Sequence, residues 1–187
     1  MFGVQAANLE SDLFWAMITG NPAMGDGKNL FHADHANLAG AGAIISTTTL
    51  SAARVAMMTQ KGLDAQTVLN ITPTHIVVPA SLMTIAQQNV TAIVGKNATK
   101  ISDVNPFAGL LEVVSEPRLD LSSSIVWYVF STASLVDMIE IATLDGVRGP
   151  VTTTEEGFDI DGVRIRAYYD IGGAPIDFRG FYKNPGA

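Results

Sequence analysis

The chain contains no cysteine among its 187 residues. Without a thiol it can form no disulfide, no thiolate metal site and no cysteine nucleophile, which suits a reducing compartment. Positive charge is also scarce, because 11 lysines and arginines stand against 18 aspartates and glutamates, for a formal net charge of -7. An acidic chain has no electrostatic attraction for a polyphosphate. We therefore expect no sequence-specific binding of nucleic acid.

Long hydrophobic runs are missing as well. No apolar run reaches the roughly 18 residues of a membrane-spanning helix, and the N-terminus lacks the basic and apolar segments of a secretory signal. We expect no membrane partner. Hydrophobic residues nevertheless make up 48% of the chain, and charged residues make up only 16%. This composition favours a protein that associates with copies of itself.

The motifs of common enzyme classes are absent, so we expect no enzyme and no cofactor. Residues 25–28 lack the spacing and the hydroxyl of a phosphate-binding loop, and the chain has neither a nucleophile elbow nor an HExxH motif. A less favoured alternative is a metal-dependent hydrolase that uses His32, Asp34 and His35. No second cluster offers further ligands, so we predict that these side chains hydrogen-bond to the loop backbone.

Apolar and polar side chains alternate near the C-terminus, which places them on opposite faces of a strand. The apolar set is Val163, Ile165, Ala167, Tyr169 and Ile171, and the polar set is Arg164, Arg166, Tyr168 and Asp170. An Asp-Gly pair at 161–162, preceded by residues 158–160, is typical of a hairpin turn. Glycines 172–173 break the strand before a second run at 176–182. We predict a long antiparallel ribbon with its apolar face on the core.

The charged face of this ribbon is the candidate contact site. Arg164 and Arg166 lie about 7 Å apart along the strand, and such guanidinium groups bind carboxylates well. They can form a surface ladder with Asp170 or pair with a neighbouring subunit, and both alternatives stay open. Adjacent residues Glu155 and Glu156 point to opposite faces, so they cannot act as an acid–base pair. The candidate subunit-contact residues are Glu155, Glu156, Arg164, Arg166, Asp170 and Arg179.

The upstream part of the chain predicts helices packed on a small, mostly antiparallel sheet, an α+β arrangement. A helix at residues 3–19 has an apolar stripe of Leu9, Leu13, Ala16 and Met17; it either faces a core or lies along the outside of the ribbon. Residues 21–46 are an extended connection. Further helices are predicted at 50–61, capped by one of the threonines 47–49, and at 81–94. Strands are predicted at 74–78, 110–116, 125–131 and 137–143.

Glycine and proline breakers divide these elements into two predicted lobes. One lobe is continuous and contains residues 43–145. The other is split between residues 1–42 and 146–187, and it combines the first helix, the connection and the ribbon. We expect the split lobe to present the ribbon and the continuous lobe to hold the small sheet.

The order of these pieces resembles a known family. The motifs are the leading helix at 6–19, the Gly-rich connection at 25–38, Val-Pro-Ala-Ser-Leu at 78–82, Asn-Pro-Phe-Ala-Gly at 105–109, and Asp-Phe-Arg-Gly-Phe-Tyr-Lys at 177–183. In this order the chain is similar to the C-terminal part of the major capsid (head) proteins of tailed phages and prophages. The nearest kin by resemblance are those encoded with a ClpP-like prohead protease, related to Mu-like head subunits.

The resemblance implies the Hong Kong 97-type fold. In that fold the split lobe is a peripheral domain, with a spine helix against a long β ribbon, and the continuous lobe is an axial domain. The implied function is structural: self-assembly through pentamers and hexamers into an icosahedral head that encloses DNA. The implied location is the bacterial cytoplasm before assembly and the virion afterwards. The implied partners are copies of the chain, with a prohead protease and a scaffold during assembly.

Two further expectations accompany the resemblance. Family members carry an N-terminal arm and an extended β-hairpin loop ahead of the spine helix. This chain starts almost at that helix, so we expect it to lack both and to be a fragment or a degenerate prophage remnant. The alternative to a capsid role is a binding module that adds a partner's strand to the edge of the ribbon.

Overall fold

The computed structural model describes residues 2–92, 104–156 and 162–187. Four α-helices lie in these ranges: α1 (Phe2–Gly20), α2 (Thr47–Met58), α3 (Met83–Val90) and α4 (Pro117–Asp120). Eight strands lie there too: β1 (His75–Val78), β2 (Glu112–Ser115), β3 (Trp127–Phe130), β4 (Ile139–Thr143), β5 (Val151–Glu156), β6 (Val163–Tyr168), β7 (Ile171–Pro175) and β8 (Phe181–Asn184). The predicted α+β class is confirmed. None of the described helices has the length and hydrophobicity that crossing a membrane requires.

A four-stranded sheet with the order β2-β1-β3-β8 forms the centre of the molecule. β2 runs parallel to β1, and the other two neighbouring pairs are antiparallel. Val77 faces Tyr128, and Val129 faces Tyr182. The mostly antiparallel character of the sheet is therefore confirmed, but one of its four predicted strands is wrong. The strand predicted at 137–143 is β4, which pairs with β7 outside this sheet, and β8 from the C-terminus takes the fourth place.

Both faces of this sheet are covered, because successive side chains of β1 and β3 enter two different cores. Trp127 and Val129 point into the first core, and Tyr128 and Phe130 point into the second. The first core is completed by helix residues Leu50, Ala53, Met57, Ala86 and Val90. The second is completed by Ile18 at the end of α1 and by Leu30, Phe31, Leu119 and Phe181. The sheet thus lies between the pair α2 and α3 on one side and α1 with its connection on the other.

The start of α2 differs slightly from the prediction. Its N-cap is Ser46 in an extended conformation, not one of the three threonines that follow. The amide of Ser46 donates to Thr49 Oγ1 at 2.9 Å, and the amide of Thr49 donates to Ser46 Oγ at 3.3 Å, which makes a capping box. The helix ends at Met58, short of the predicted Lys61, which forms a β-bridge with Val68. Likewise α3 ends at Val90, and residues 93–94 of the predicted helix lie outside the described residues.

The ribbon exists, but its arms were predicted wrongly. The outgoing arm is β4 followed by β5, and the returning arm is β6 followed by β7. The run predicted at 176–182 does not form the return, because β8 pairs with β3 in the central sheet. Residues 158–161 of the predicted hairpin turn lie outside the described residues.

The glycines predicted to break the ribbon lie inside β7 instead. Gly172 faces Ala142 and Gly173 faces Ile141 across the strand pair. A Cβ on Gly173 would lie 2.9 Å from Met17 Cε and 3.2 Å from Glu140 O. A glycine stands here because α1 approaches the strand too closely for a side chain, as a glycine within a strand often indicates.

Gly42 provides a test of the packing between the connection and the C-terminal segment. A Cβ on Gly42 would lie 1.9 Å from Gly186 O, so this segment has to move in a Gly42→Ala variant. The hydrogen bond from the Ala43 amide to Asn184 Oδ1, 2.9 Å long, would be disturbed as well. We expect Gly42→Ala to lower the free energy of unfolding by about 1–3 kcal/mol in urea denaturation.

Gly40→Ala is the matched control, because a Cβ on Gly40 meets nothing within 4 Å. It should leave stability unchanged or raise it slightly, since alanine restricts the unfolded chain. Equal losses in the two variants would contradict the close approach at Gly42.

Candidate subunit interface

The ribbon has an inner half and an outer half. The inner half is the β4–β7 pair, with register from Ile139 opposite Pro175 to Thr143 opposite Ile171. The outer half is the β5–β6 pair. A turn at Leu144–Gly146 interrupts the outgoing arm between the two halves. The halves are thus successive parts of one long hairpin.

Helix α1 lies along the inner half and reaches the start of the outer one. Met17 packs on Gly173, and the hydroxyl of Tyr169 donates a hydrogen bond to Glu10. This bond to the Glu10 carboxylate raises the pKa of Tyr169, with a smaller contribution from burial. Near the helix start, a cavity of about 230 Å³ is lined by Gln5, Ala6, Leu9, Pro150, Ala167, Tyr168 and Tyr169. Of the two positions predicted for the first helix, the one along the ribbon is observed.

The apolar stripe predicted on this helix is only partly buried. Met17 and Ile18 are buried, while Leu9 is 44% exposed and Ala16 is exposed. The reason is that the helix meets the second core only at its C-terminal end, where Ile18 belongs to that cluster.

The two faces of the outer half have different chemistry, because facing residues in an antiparallel pair share a face. One face, the charged face, consists of Val151, Thr153, Glu155, Arg164, Arg166 and Tyr168. The other, the apolar face, consists of Thr152, Thr154, Glu156, Val163, Ile165 and Ala167. Glu155 and Glu156 lie on opposite faces, as predicted, and Arg164 and Arg166 share one.

The arginines of the charged face form no ion pair with the described carboxylates. Glu155 is the cross-strand partner of Arg164, and Thr153 is the partner of Arg166. Yet no described carboxylate oxygen lies within 4.0 Å of either guanidinium group. Arg166 instead sits 5.3 Å from the ring of Tyr168. The described residues therefore do not form the surface ladder of ion pairs, which was one of the two alternatives for these arginines.

The remaining two candidate residues lie elsewhere. Asp170 lies between β6 and β7, where the alternation that placed it beside the arginines has ended, and its carbonyl accepts from the Leu144 amide at 3.1 Å. Arg179 precedes β8; its Nε donates to Lys61 O at 2.8 Å and its Nη1 to Asp177 Oδ2 at 3.0 Å. Only 16% of the Arg179 side chain is exposed. Its hydrogen bonds link the approach to β8 with the residues after α2.

Sequence reasoning missed the exposure of the apolar face. Val163 is 59% exposed and Ile165 is 58% exposed, although we predicted that this face lies on the core. α1 packs on β7 in the inner half and reaches the outer half only near Ala167 and Tyr168, so Val163 and Ile165 stay exposed. Alternation identifies a strand with two different faces, but it carries no information on what covers each face.

The histidine-containing loop is a structural connection. The ring of His35 is 4% exposed, with Nε2 2.7 Å from Asp26 Oδ2 and Nδ1 3.2 Å from Leu30 O. It stacks on the ring of Phe178 at 3.8 Å. The predicted hydrogen bonding to the loop backbone is confirmed for His32 and His35, whereas the Asp34 carboxylate pairs with the side chain of Lys28.

Hydrogen bonds and charged neighbours lower the pKa values of two carboxyl groups in this loop. Hydrogen bonding to His35 lowers the pKa of Asp26 below its ordinary value, with help from the Lys28 amide. Asp34 pairs with Lys28, which lowers the pKa of its carboxyl in the same way. His32 uses its Nδ1 to accept from the Asp34 amide at 3.1 Å. Within residues 2–92, 104–156 and 162–187, no cluster of three or more histidine and carboxylate side chains could hold a metal ion.

The outer half of the hairpin therefore exposes both charged and apolar side chains. A family described as "Phage capsid protein" matches residues 1–184. The chain belongs to this family of structural proteins, and the resemblance found in its motifs is confirmed.

Comparison of structures agrees with this assignment at the level of the fold. A solved structure from Mycobacterium phage Che8 superposes with a TM-score of 0.54 at 15% sequence identity. The match covers 99% of this chain and 62% of that chain, so this chain spans less than two thirds of the neighbour's length. No curated protein matches the sequence.

We expect His35→Ala to lower the free energy of unfolding by about 2–4 kcal/mol, because a buried ring and its two hydrogen bonds are lost. The loss should be the same with and without a chelator, measured by urea denaturation. His32→Ala is the control: 42% of that side chain is exposed, and we expect about 1 kcal/mol or less. Destabilisation of the unaltered protein by the chelator would instead indicate a metal at this loop.

Proposed function

We propose that this chain is a head subunit that binds copies of itself to build a closed icosahedral shell around phage DNA. The observation that carries the proposal is the uncovered outer half of the ribbon. Its apolar face exposes Val163 and Ile165, and its charged face presents Arg164 and Arg166. Membership of the capsid family supports the same role.

Contact with another copy would remove unfavourable exposure at this site. Burying an exposed valine or isoleucine side chain contributes about 1–2 kcal/mol. An arginine that gains a carboxylate in a partly buried contact adds a charge-assisted hydrogen bond. A repeated contact of this kind accumulates across a shell, because each subunit takes part in several contacts at once.

The charge balance favours enclosing DNA over gripping it. The chain carries a formal net charge of -7. A surface of that sign repels phosphates, so DNA inside a shell would lie against it without tight binding. This supports a container role and argues against sequence-specific recognition.

We further propose the two-lobe division of the Hong Kong 97-type fold, with a change to its boundaries. The predicted division was 1–42 with 146–187, against 43–145. The strand pairing supports a ribbon that begins at β4, and it supports assigning β8 to the lobe that contains β1 and β3. By the same resemblance, we propose that a prohead protease and a scaffold act during assembly in the bacterial cytoplasm, before the protein resides in the virion.

A second candidate is a binding module that captures a strand of a different protein. The observation in its favour is the same β5–β6 pair, whose two strands form a sheet of their own. It differs from the capsid role in the partner. A purified chain that stays monomeric and binds one unrelated protein would favour the binding module.

Self-association is the first test of the capsid role. We expect the mean particle mass in light scattering to rise with protein concentration, and rings or shells to appear in electron micrographs. A chain that stays monomeric at every concentration up to its solubility limit would contradict the proposal.

Arg166→Glu should weaken association far more than folding. We expect at least about a tenfold increase in the concentration of half-association, equivalent to ~1.4 kcal/mol, and less than about 0.5 kcal/mol of change in stability, because the side chain is exposed. Lys61→Glu is the matched control, since it makes the same charge change at an exposed site outside the ribbon. Equal losses of melting temperature and of association in Arg166→Glu would count against an interface role.

A further inference from the structure

We propose that copies of this chain join edge to edge through the ribbon. The free edge of β6 in one copy forms an antiparallel pair with the free edge of β5 in the next copy. This inference rests on the proposed self-association and specifies which surfaces meet. It makes the ribbon hairpins of successive copies parts of one continuous sheet.

The backbone of the outer half is available for such pairing. β5 and β6 form a two-stranded sheet, and across the described ranges each pairs only with the other. Each strand therefore keeps one edge of N–H and C=O groups without a strand partner. Six paired positions give an edge of about 20 Å. An exposed edge of this kind is a template for another strand.

Charge decides which edges fit together. β5 reads Val-Thr-Thr-Thr-Glu-Glu and carries two acidic residues and no basic one. β6 reads Val-Arg-Ile-Arg-Ala-Tyr and carries two basic residues and no acidic one. Pairing β6 with the β5 of a neighbour brings opposite charges together, whereas β5 with β5 or β6 with β6 brings like charges together. Opposite pairs across strands are favourable and like pairs are not.

The side-chain faces restrict the register of this pairing. Neighbouring hairpins that point the same way place β6 antiparallel to the next β5, as the strands already are within one hairpin. With the hairpin ends level, Glu155 of the neighbouring copy lies beside Arg164. A shift of two residues places it beside Arg166. A shift of one residue would set a charged face against an apolar face, because side chains alternate.

Pairing β6 with β5 is head-to-tail, because the two copies use different surfaces. A head-to-tail contact leaves one free edge at each end and continues from copy to copy. It closes into a ring when the rotation between copies allows closure. Such an arrangement suits a subunit that forms rings within a shell.

Cysteine cross-linking tests the pairing directly, because the chain has no cysteine of its own. Thr154 and Ile165 are cross-strand partners at the same level of the hairpin, and neither is charged. Thr154→Cys chains and Ile165→Cys chains, one of them mass-tagged, are mixed in equal amounts and oxidised. Facing residues of antiparallel strands have Cα atoms about 4.5–5.5 Å apart, which lies within the range that a disulfide spans.

We expect the mixed disulfide to exceed either homodimeric product by about tenfold, since only unlike edges meet in this pairing. In the register shifted by two residues, Thr154 of the neighbouring copy faces Ala167, so Ala167→Cys replaces Ile165→Cys to test that register. A mixed disulfide of Thr154→Cys with either Ile165→Cys or Ala167→Cys supports the proposal. Homodimeric products in excess would overturn it. So would assembled particles, seen by light scattering, that give no mixed product.

Charge exchange gives an independent test. One variant combines Arg164→Glu with Arg166→Glu, and the other combines Glu155→Arg with Glu156→Arg. Each alone presents like charges at the β6–β5 contact, so we expect the concentration of half-association to rise about tenfold or more. In an equal mixture, contacts between unlike variants restore opposite charges, so the two variants should alternate. The concentration of half-association should then return to within about threefold of that of the unaltered chain.

The mixture separates association from folding. Within each variant chain, β5 and β6 carry like charges both alone and in the mixture, so any loss of hairpin stability is the same in both samples. Recovery on mixing therefore reports contacts between copies. If the charges only protect the edges from aggregation, mixing will restore nothing, and the proposal is wrong. If shells assemble normally without this β6–β5 contact, the edge-to-edge proposal is wrong and the capsid role stands. If the chain never associates, the capsid role itself is contradicted.

Discussion

Burial of β3 on both faces is the constraint on which the rest of the structure depends. Its four side chains, Trp127 to Phe130, are all buried, and alternate ones enter opposite cores. A strand of this kind needs a partner on each edge and a layer on each face. β1 and β8 supply the edges, α2 and α3 cover one face, and the end of α1 with its connection covers the other.

The connection after α1 is held in place by polar contacts as well as by the second core. The ring of His35 contacts Asp26 and Leu30 within the connection, and it stacks on Phe178 near the C-terminus. The side-chain amide of Gln60 donates to the carbonyl of His35 at 2.8 Å. The indole N–H of Trp127 donates to Ala43 O at 2.9 Å. Segments distant in sequence therefore meet at a few buried polar groups, which have to be satisfied within the fold.

The described helices cover the two faces of the central sheet, and the outer half of the ribbon keeps apolar and charged side chains exposed. We propose this exposed surface as the contact between copies of the chain. α1 packs on β7 through Gly173, so the helix lies against the inner half. Beyond it, β5 and β6 hold Glu155 opposite Arg164 with the apolar side chains of Val163 and Ile165 still exposed. A structural protein of the capsid family can use such a surface between subunits without any enclosed site.

Local patterns in the sequence determined the elements: the helical spacing of Leu50, Ala53 and Met57, the apolar run at β3, the alternation in β6, and the order of motifs that identified the family. They did so because period and turn chemistry are properties of neighbouring residues. Only the tertiary structure decided that Gly172 and Gly173 lie within a strand, that β8 leaves the ribbon for the central sheet, and that Val163 and Ile165 remain exposed. Each of these depends on which distant segment packs there: α1 lies against β7, β3 lies beside β8, and no described segment buries Val163 and Ile165. The spacing of residues along the chain does not record contacts between segments so far apart.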